Sequence, residues 1–188
     1  MSRIFSTRTN IIITMILLAA FSRLLPHVPN FTALGAMALF AGAFLPGRIA
    51  WLAPIVAMFV SDLVINNVIY AEYYGQFMWA TPAVGWSMLA IALIALLGSQ
   101  LFTKISVARV VTGSLSASLT FFLVSNIGPW LTLDIYPNTL TGLGMAYIAA
   151  IPFFGNTIAG DLFFCAIMFG GFALISSRWR SLNASPAP

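Results

Sequence analysis

Charge is what this sequence has least of. Its 188 residues include eight Lys and Arg and four Asp and Glu, only 6% of the chain, where a soluble domain carries roughly a quarter. So little charge cannot clothe a folded surface against water, which excludes an ordinary soluble domain. The basic residues are scattered, so the net charge of +4 forms no patch for nucleic acid. A single cysteine, Cys165, excludes an intrachain disulfide, and with a single histidine, His27, it excludes a zinc cluster. There is also no serine elbow, no HExxH motif and no pair of carboxylates at a fixed helical spacing. No catalytic constellation is legible, and an enzyme is not expected.

What is present is apolar. Hydrophobic residues make up 61% of the chain and the mean hydropathy is +1.00, which predicts an all-α integral membrane protein forming a single membrane domain over residues 1–188. Spans of about 20 residues fit the bilayer, and six are expected, at 11–25, 31–45, 49–70, 83–102, 107–130 and 156–175. The prolines of "RLLPHVPN" separate the first two, and "PGR" at 46–48 ends the second. Between the fifth and sixth lies "LGMAYIAAIPFF", closed by Pro152 and Gly155. That piece, 141–154, is too short to span and reads as an interfacial or re-entrant helix. Residues 181–188, "SLNASPAP", read as a polar tail. In the second span, Ala38 and Gly42 stand four apart, a spacing that predicts close helix packing.

Basic residues favour the cytoplasmic side. With both termini inside, Arg3, Arg8, Arg48, Lys104, Arg109, Arg178 and Arg180 are cytoplasmic, and only Arg23 falls outside. Trp51 and Trp179 then mark the inner interface, and Trp79 and Trp130 the outer one. The expected location is a cytoplasmic membrane, crossed several times.

The scarce polar groups gather at one depth. Asp62 lies about 20 Å along the third span at 1.5 Å per residue, in its outer half, and Asn66 follows at i+4 on the same face. Arg23, His27 and Asn30 lie at the outer turn between the first two spans, Asn126 high on the fifth, and Asn156 and Asp161 at the start of the sixth. Tyr74, Trp79, Asp134 and Tyr136 stand in the outer loops. An intramembrane charge costs about 3 kcal/mol or more, so such groups pair or line a cavity. Asp62 has both readings open: an ion pair with Arg23, or a wall of a binding pocket. His27 is either a ligand or a turn residue between prolines. Cys165, mid-membrane on an apolar helix, reads as packing. The outer belt as a whole reads as a binding site for a small, flat, partly polar molecule.

"SRLLPHVPNFTALGAMALFAGAF", "PIVAMFVSDLVINNVIYAEYYGQF" and the segment from Phe121 to Phe164 resemble a family of bacterial six-helix membrane proteins. These are similar to the S-components of energy-coupling-factor vitamin transporters and include the BtuM-type cobalamin transporters. The resemblance implies an S-component-like bundle whose pocket opens to the extracytoplasmic side, with a vitamin-like ligand, cobalamin or another corrinoid, taken up rather than held as a cofactor. The sequence departs from the BtuM pattern in lacking a cysteine at the outer start of the fourth span, which leaves His27 as the candidate ligand to a corrinoid cobalt. S-components that dock on a shared module carry small residues four apart on the first helix; the cytoplasmic half of "NIIITMILLAAF" has no such pair, which points to a solitary protein. Two other readings stay open: an intramembrane enzyme using Asp62 and Asp161, and an accessory subunit whose polar groups hold helices together. The lipid bilayer is the expected partner; an energising module or outer-membrane partner is not identified.

Overall fold

The computed structural model describes residues 6–178. Arg3, Trp179, Arg180 and the polar tail 181–188 lie outside the described residues. Among the described residues the regular structure is all helical: α1 (Thr7–Phe21), α2 (Leu34–Phe44), α3 (Ile49–Val64), α4 (Ala71–Tyr74), α5 (Val84–Leu101), α6 (Val107–Ser125), α7 (Ile127–Thr132) and α8 (Leu140–Arg178). A 3₁₀ turn at Ser22–Leu24 extends α1, and a π-helical turn at Ile65–Ile69 extends α3. Five of these segments are long and apolar enough to cross a membrane: Thr7–Leu24, Ile49–Ile69, Val84–Leu101, Val107–Thr132 and Leu140–Arg178.

Local chemistry sets the starts and turns. Ser6 and Ser106 cap α1 and α6 by accepting the backbone N–H of Thr9 at 3.2 Å and of Arg109 at 3.3 Å, each satisfying a donor that the helix leaves unpaired. Gly47 and Gly75 take the left-handed conformation (φ +54° and +62°) in the turns before α3 and after α4, where a side chain would be strained.

The end of the chain departs from the sequence expectation. The short helix expected at 141–154 and the span expected at 156–175 are one continuous helix, α8, of 39 residues. Pro152 lies inside it and Gly155 does not end it. The run is apolar on both sides of the proline, and in apolar surroundings a break would strand more backbone groups than the one bond proline forfeits. At 1.5 Å per residue α8 is roughly 58 Å long, about twice the thickness of a hydrocarbon core.

The second expected span is also shorter than its apolar stretch. α2 has 11 residues, and Leu34 through Gly42 are all buried. It sits at the centre of the bundle, packed by α1, α3, α5, α6 and α8. Small residues make this possible. A Cβ on Gly42 would collide with the carbonyl of Ala95, and one on Gly98 would lie 2.5 Å from the carbonyl oxygen of Leu39. The backbones of α2 and α5 therefore touch at two levels, Gly42 against Ala95 and Leu39 against Gly98, and Ala38 is fully buried, the close packing that its spacing from Gly42 predicts. At the C-terminal end of α2, Phe40 and Phe44 meet Phe169 and Phe172 with ring centroids 4.5–5.7 Å apart. Cys165, 1% exposed, belongs to this core. By contrast Leu18, Val56, Leu96, Leu119, Ile148 and Leu174 are exposed on the outside of the bundle.

Candidate functional site

The two ends of the bundle differ in chemistry. The end formed by the 22–33 turn, the 65–83 strap and the α6–α7 junction holds most of the polar side chains, and is called the upper end here. It contains a cavity of about 340 Å³ between the start of α2, the start of α5, the end of α6, α7 and the middle of α8. Arg23, Asn30, Thr32, Ser87, Asn126 and Asp161 are among its polar lining residues, and Phe121 and Phe122 form part of its apolar wall. A second opening of about 640 Å³ lies beside it, lined by His27, Ile65, Ile69 and Tyr70. The two share Arg23, Asn30 and Thr32. Asn30 reaches the shared wall in a left-handed conformation (φ +64°), which asparagine tolerates better than most residues.

Asp161 is the most deeply placed acid, 1% exposed. One carboxylate oxygen accepts the backbone N–H of Ala36 at 3.1 Å, and the other accepts the hydroxyl of Ser118 at 2.7 Å. Ala36 belongs to the first turn of α2, so Asp161 caps a helix end whose N–H groups carry partial positive charge. A Cβ on Gly35 would lie 2.5 Å from both carboxylate oxygens. The glycine is what lets the acid come this close.

Asp62 is held differently. It forms an ion pair with Nη1 of Arg23 at 2.7 Å, both side chains retaining some exposure (20% and 14%). The same Nη1 donates to the hydroxyl of Ser61 at 2.7 Å, and Ser61 donates to the carbonyl of Met58. Of the two readings left open by the sequence, the ion pair is present, and Asp62 lines neither upper cavity. The helical face it was expected to share with Asn66 is altered by the π turn starting at Ile65, and Asn66 is buried.

The remaining sequence candidates separate cleanly. Arg23, Asn30, Asn126 and Asp161 come together around the smaller cavity, and His27 borders the larger. Nδ1 of His27 lies 2.6 Å from the carbonyl of Leu25; since a carbonyl only accepts, Nδ1 carries the hydrogen, and a neutral ring leaves Nε2 bare. Asn156 donates to the carbonyl of Pro29 at 2.9 Å and ties the proline turn to α8. Tyr74, Trp79, Asp134 and Tyr136 border neither cavity, and Trp79 is exposed, packed edge-on to Phe77.

Several site residues were not singled out from sequence. Ser87, Thr32 and Ser118 gave no signal, because hydroxyls in apolar helices usually bond their own backbone. Asn67 does more than its neighbours in "SDLVINNVIY". Its side chain receives the N–H of Met78 at 2.7 Å and donates to the carbonyl of Met78 at 2.9 Å. That two-point clip fastens the strap between α3 and α5 at the upper end. At the opposite end of α2, a cavity of about 420 Å³ is lined mainly by apolar groups, including Gly42, Phe44, Trp51, Ala95 and Phe102. The short α2 therefore stands between two openings: Leu34 and Gly35 border the upper one and Gly42 to Leu45 the lower.

No curated protein and no solved structure matches the chain. Residues 3–183 match a family of unknown function, DUF6580, and the chain belongs to that family.

Proposed function

We propose that this protein is a membrane uptake protein that binds a small, vitamin-like molecule from the extracytoplasmic side and helps it across. The observation that carries the proposal is the polar cavity of about 340 Å³ at the upper end of an otherwise apolar bundle. Pockets for small molecules begin at about 300 Å³ and combine apolar walls with a few placed polar groups. Here Phe121 and Phe122 offer the wall, and Arg23, Asn30, Ser87 and Asn126 the polar groups. The second cavity at the far end of α2 suits a route through the bundle, with α2 as the plug between two openings.

The exposed apolar faces of the long helices suit lipid contact, and the distribution of basic residues suits six crossings of an inner membrane, α2 completing one of them inside the bundle, with both termini cytoplasmic. The upper end then faces outward. The reading keeps the S-component-like architecture and a solitary mode of action. A corrinoid would need both upper openings at once, and His27, which borders the larger one, is the candidate ligand to its cobalt. The geometry does not favour the enzymatic alternative, because Asp62 and Asp161 are engaged with different partners and only Asp161 borders the cavity.

The test is mass spectrometry of small molecules released from the detergent-solubilised, purified protein. A molecule recovered near one per chain is the expected result. A chemically altered molecule would favour the enzyme, and recovery of lipid alone would favour the accessory subunit.

A further inference from the structure

Ser118 carries one hydroxyl hydrogen and has two acceptors within reach. Its Oγ lies 2.7 Å from Oδ2 of Asp161 and 3.1 Å from the carbonyl oxygen of Ser114. One hydrogen serves only one of them. With Asp161 ionised, Ser118 donates to the carboxylate, and the Ser114 carbonyl keeps the backbone N–H of Ser118 that the helix already gives it. With a proton on Oδ2, Asp161 donates to Ser118 and Ser118 donates to Ser114, so both contacts are hydrogen bonds at once. The same heavy-atom positions hold the acid with and without its proton.

We propose that Asp161 is the proton-binding group of the uptake cycle, a latch on α2 that is tight when ionised and slack when protonated. The inference rests on the uptake reading above and names its driving ion. Oδ1 accepts the N–H of Ala36 in the first turn of α2, and Gly35 leaves room for the approach. An ionised acceptor makes the stronger bond, and the partial positive charge of the helix start favours it further. Protonation removes both gains and leaves α2, the plug between the two openings, less firmly tied to α8. In each cycle an O–H bond forms on Oδ2 with a proton from water at the upper opening. That bond breaks again when the proton leaves to water on the lower side.

The surroundings suit a group that changes charge. Asp161 is 1% exposed, so little of its charge is shared with water. No cation bonds it among the described residues: Arg23 lines the same cavity but is paired with Asp62. On α8 itself Cys165 stands one turn further along, and Tyr147 and Arg178 lie about four turns away or more. α2, α5 and α7 carry no titratable residue. Those of α6 and α1, Arg109 and Arg8, stand in the first turns of their helices, at the lower end. A proton on Asp161 therefore changes the charge at this level of the bundle without a neighbouring cation to cancel the effect.

The experiment uses purified full-length protein in detergent, and its main readouts need no transported molecule. Infrared difference spectroscopy follows the C=O stretch of a neutral carboxylic acid as the pH is lowered. Assignment is direct, because the chain has four acidic side chains; of the other three, Asp62 is ion-paired and Glu72 and Asp134 are exposed. The expected result is an acid band from the folded protein that is missing from Asp161→Asn and shifted in frequency in Ser118→Ala. The second variant keeps the test decisive if the first fails to fold. Hydrogen exchange read by mass spectrometry, corrected for the intrinsic effect of pH, should be about fivefold faster in peptides containing Ala36 once the band has appeared. In Asp161→Asn it should be fast at every pH. The occupancy of any small molecule retained by the wild type should also differ between the two sides of the band. The inference is overturned if no band assignable to Asp161 appears while the protein is folded, or if Ser118→Ala leaves the band unshifted. It is equally overturned if exchange at Ala36 or the retained occupancy ignores the band, or if exchanging potassium chloride for sodium chloride at fixed pH alters exchange at Ala36, which would make a metal cation the bound ion. A small molecule recovered at one per chain from a protein whose Asp161 does not titrate would leave the uptake reading standing while removing the proton.

Discussion

Asp62 and Asp161 are both acids in apolar helices, and the fold treats them in opposite ways. Asp62 sits near the upper surface, 20% exposed, against a full positive charge on Arg23. Asp161 is 1% exposed and meets only neutral donors, a backbone N–H of α2 and the hydroxyl of Ser118. In the first arrangement charge is balanced within the pair. The second is structural as well as chemical, since the acid fixes the start of the central helix while forming part of the cavity wall. Position in the sequence did not separate these roles; the identity of the neighbours does.

The comparison can be broken most severely at Asp161. Asp161→Ala should strand the N–H of Ala36 and leave a cavity in the core, while Ser118 keeps the carbonyl of Ser114 as its acceptor. The expected cost is about 3 kcal/mol or more, read by thermal unfolding in detergent. Asp161→Asn should lose less, about 1–2 kcal/mol, because the amide oxygen still accepts one of the two bonds. Equal losses for the two variants would mean that volume, not hydrogen bonding, explains the site.

At Asp62 the effect should be smaller and should depend on Arg23. Asp62→Ala leaves a partly exposed guanidinium without its counter-charge, at an expected cost of about 1–3 kcal/mol. Arg23→Leu/Asp62→Leu should recover much of that stability, since an apolar pair often replaces a buried ion pair without loss. A double variant as unstable as Asp62→Ala would show that the pair contributes more than mutual neutralisation.

Two further variants sharpen the contrast at lower cost. Asn67→Ala removes both bonds to Met78 and should cost about 1–2 kcal/mol. Faster proteolysis between Tyr70 and Ala83, measured by limited digestion, should be its main sign. Cys165→Ala should be milder still, about 1 kcal/mol, and should leave binding unchanged, because the thiol is packed in the core.

How much of this was legible beforehand varies with the kind of signal. Hydrophobic runs located α1, α3, α5 and α6 to within a few residues, because apolar length is a direct physical requirement of a span. Proline misled at α8: a residue that ends helices in water is tolerated within a long apolar one, so Pro152 was read as a boundary and is not. α2 was read as an ordinary span, whereas its Gly and Ala content lets α5 close in until the helix is buried almost throughout. At the site, charged residues were easy to find because they are rare. Their partners were not. Nothing in the local sequence links Asp161 to Ala36, 125 residues away, or Asn67 to the backbone of Met78. The difference between Asp62 and Asp161 is made wholly by such contacts.

The central claim is that the upper cavity holds the ligand, and filling the cavity tests it most directly. Ser87 borders the cavity from α5, and Ser87→Trp places an indole in that space. Native mass spectrometry of wild type and Ser87→Trp, each purified in the same detergent, compares what they retain. The account predicts a one-to-one small-molecule adduct on the wild-type chain and its loss from a Ser87→Trp chain that unfolds at a comparable temperature. An adduct of equal mass and occupancy on both proteins, or none on the wild type, would contradict it.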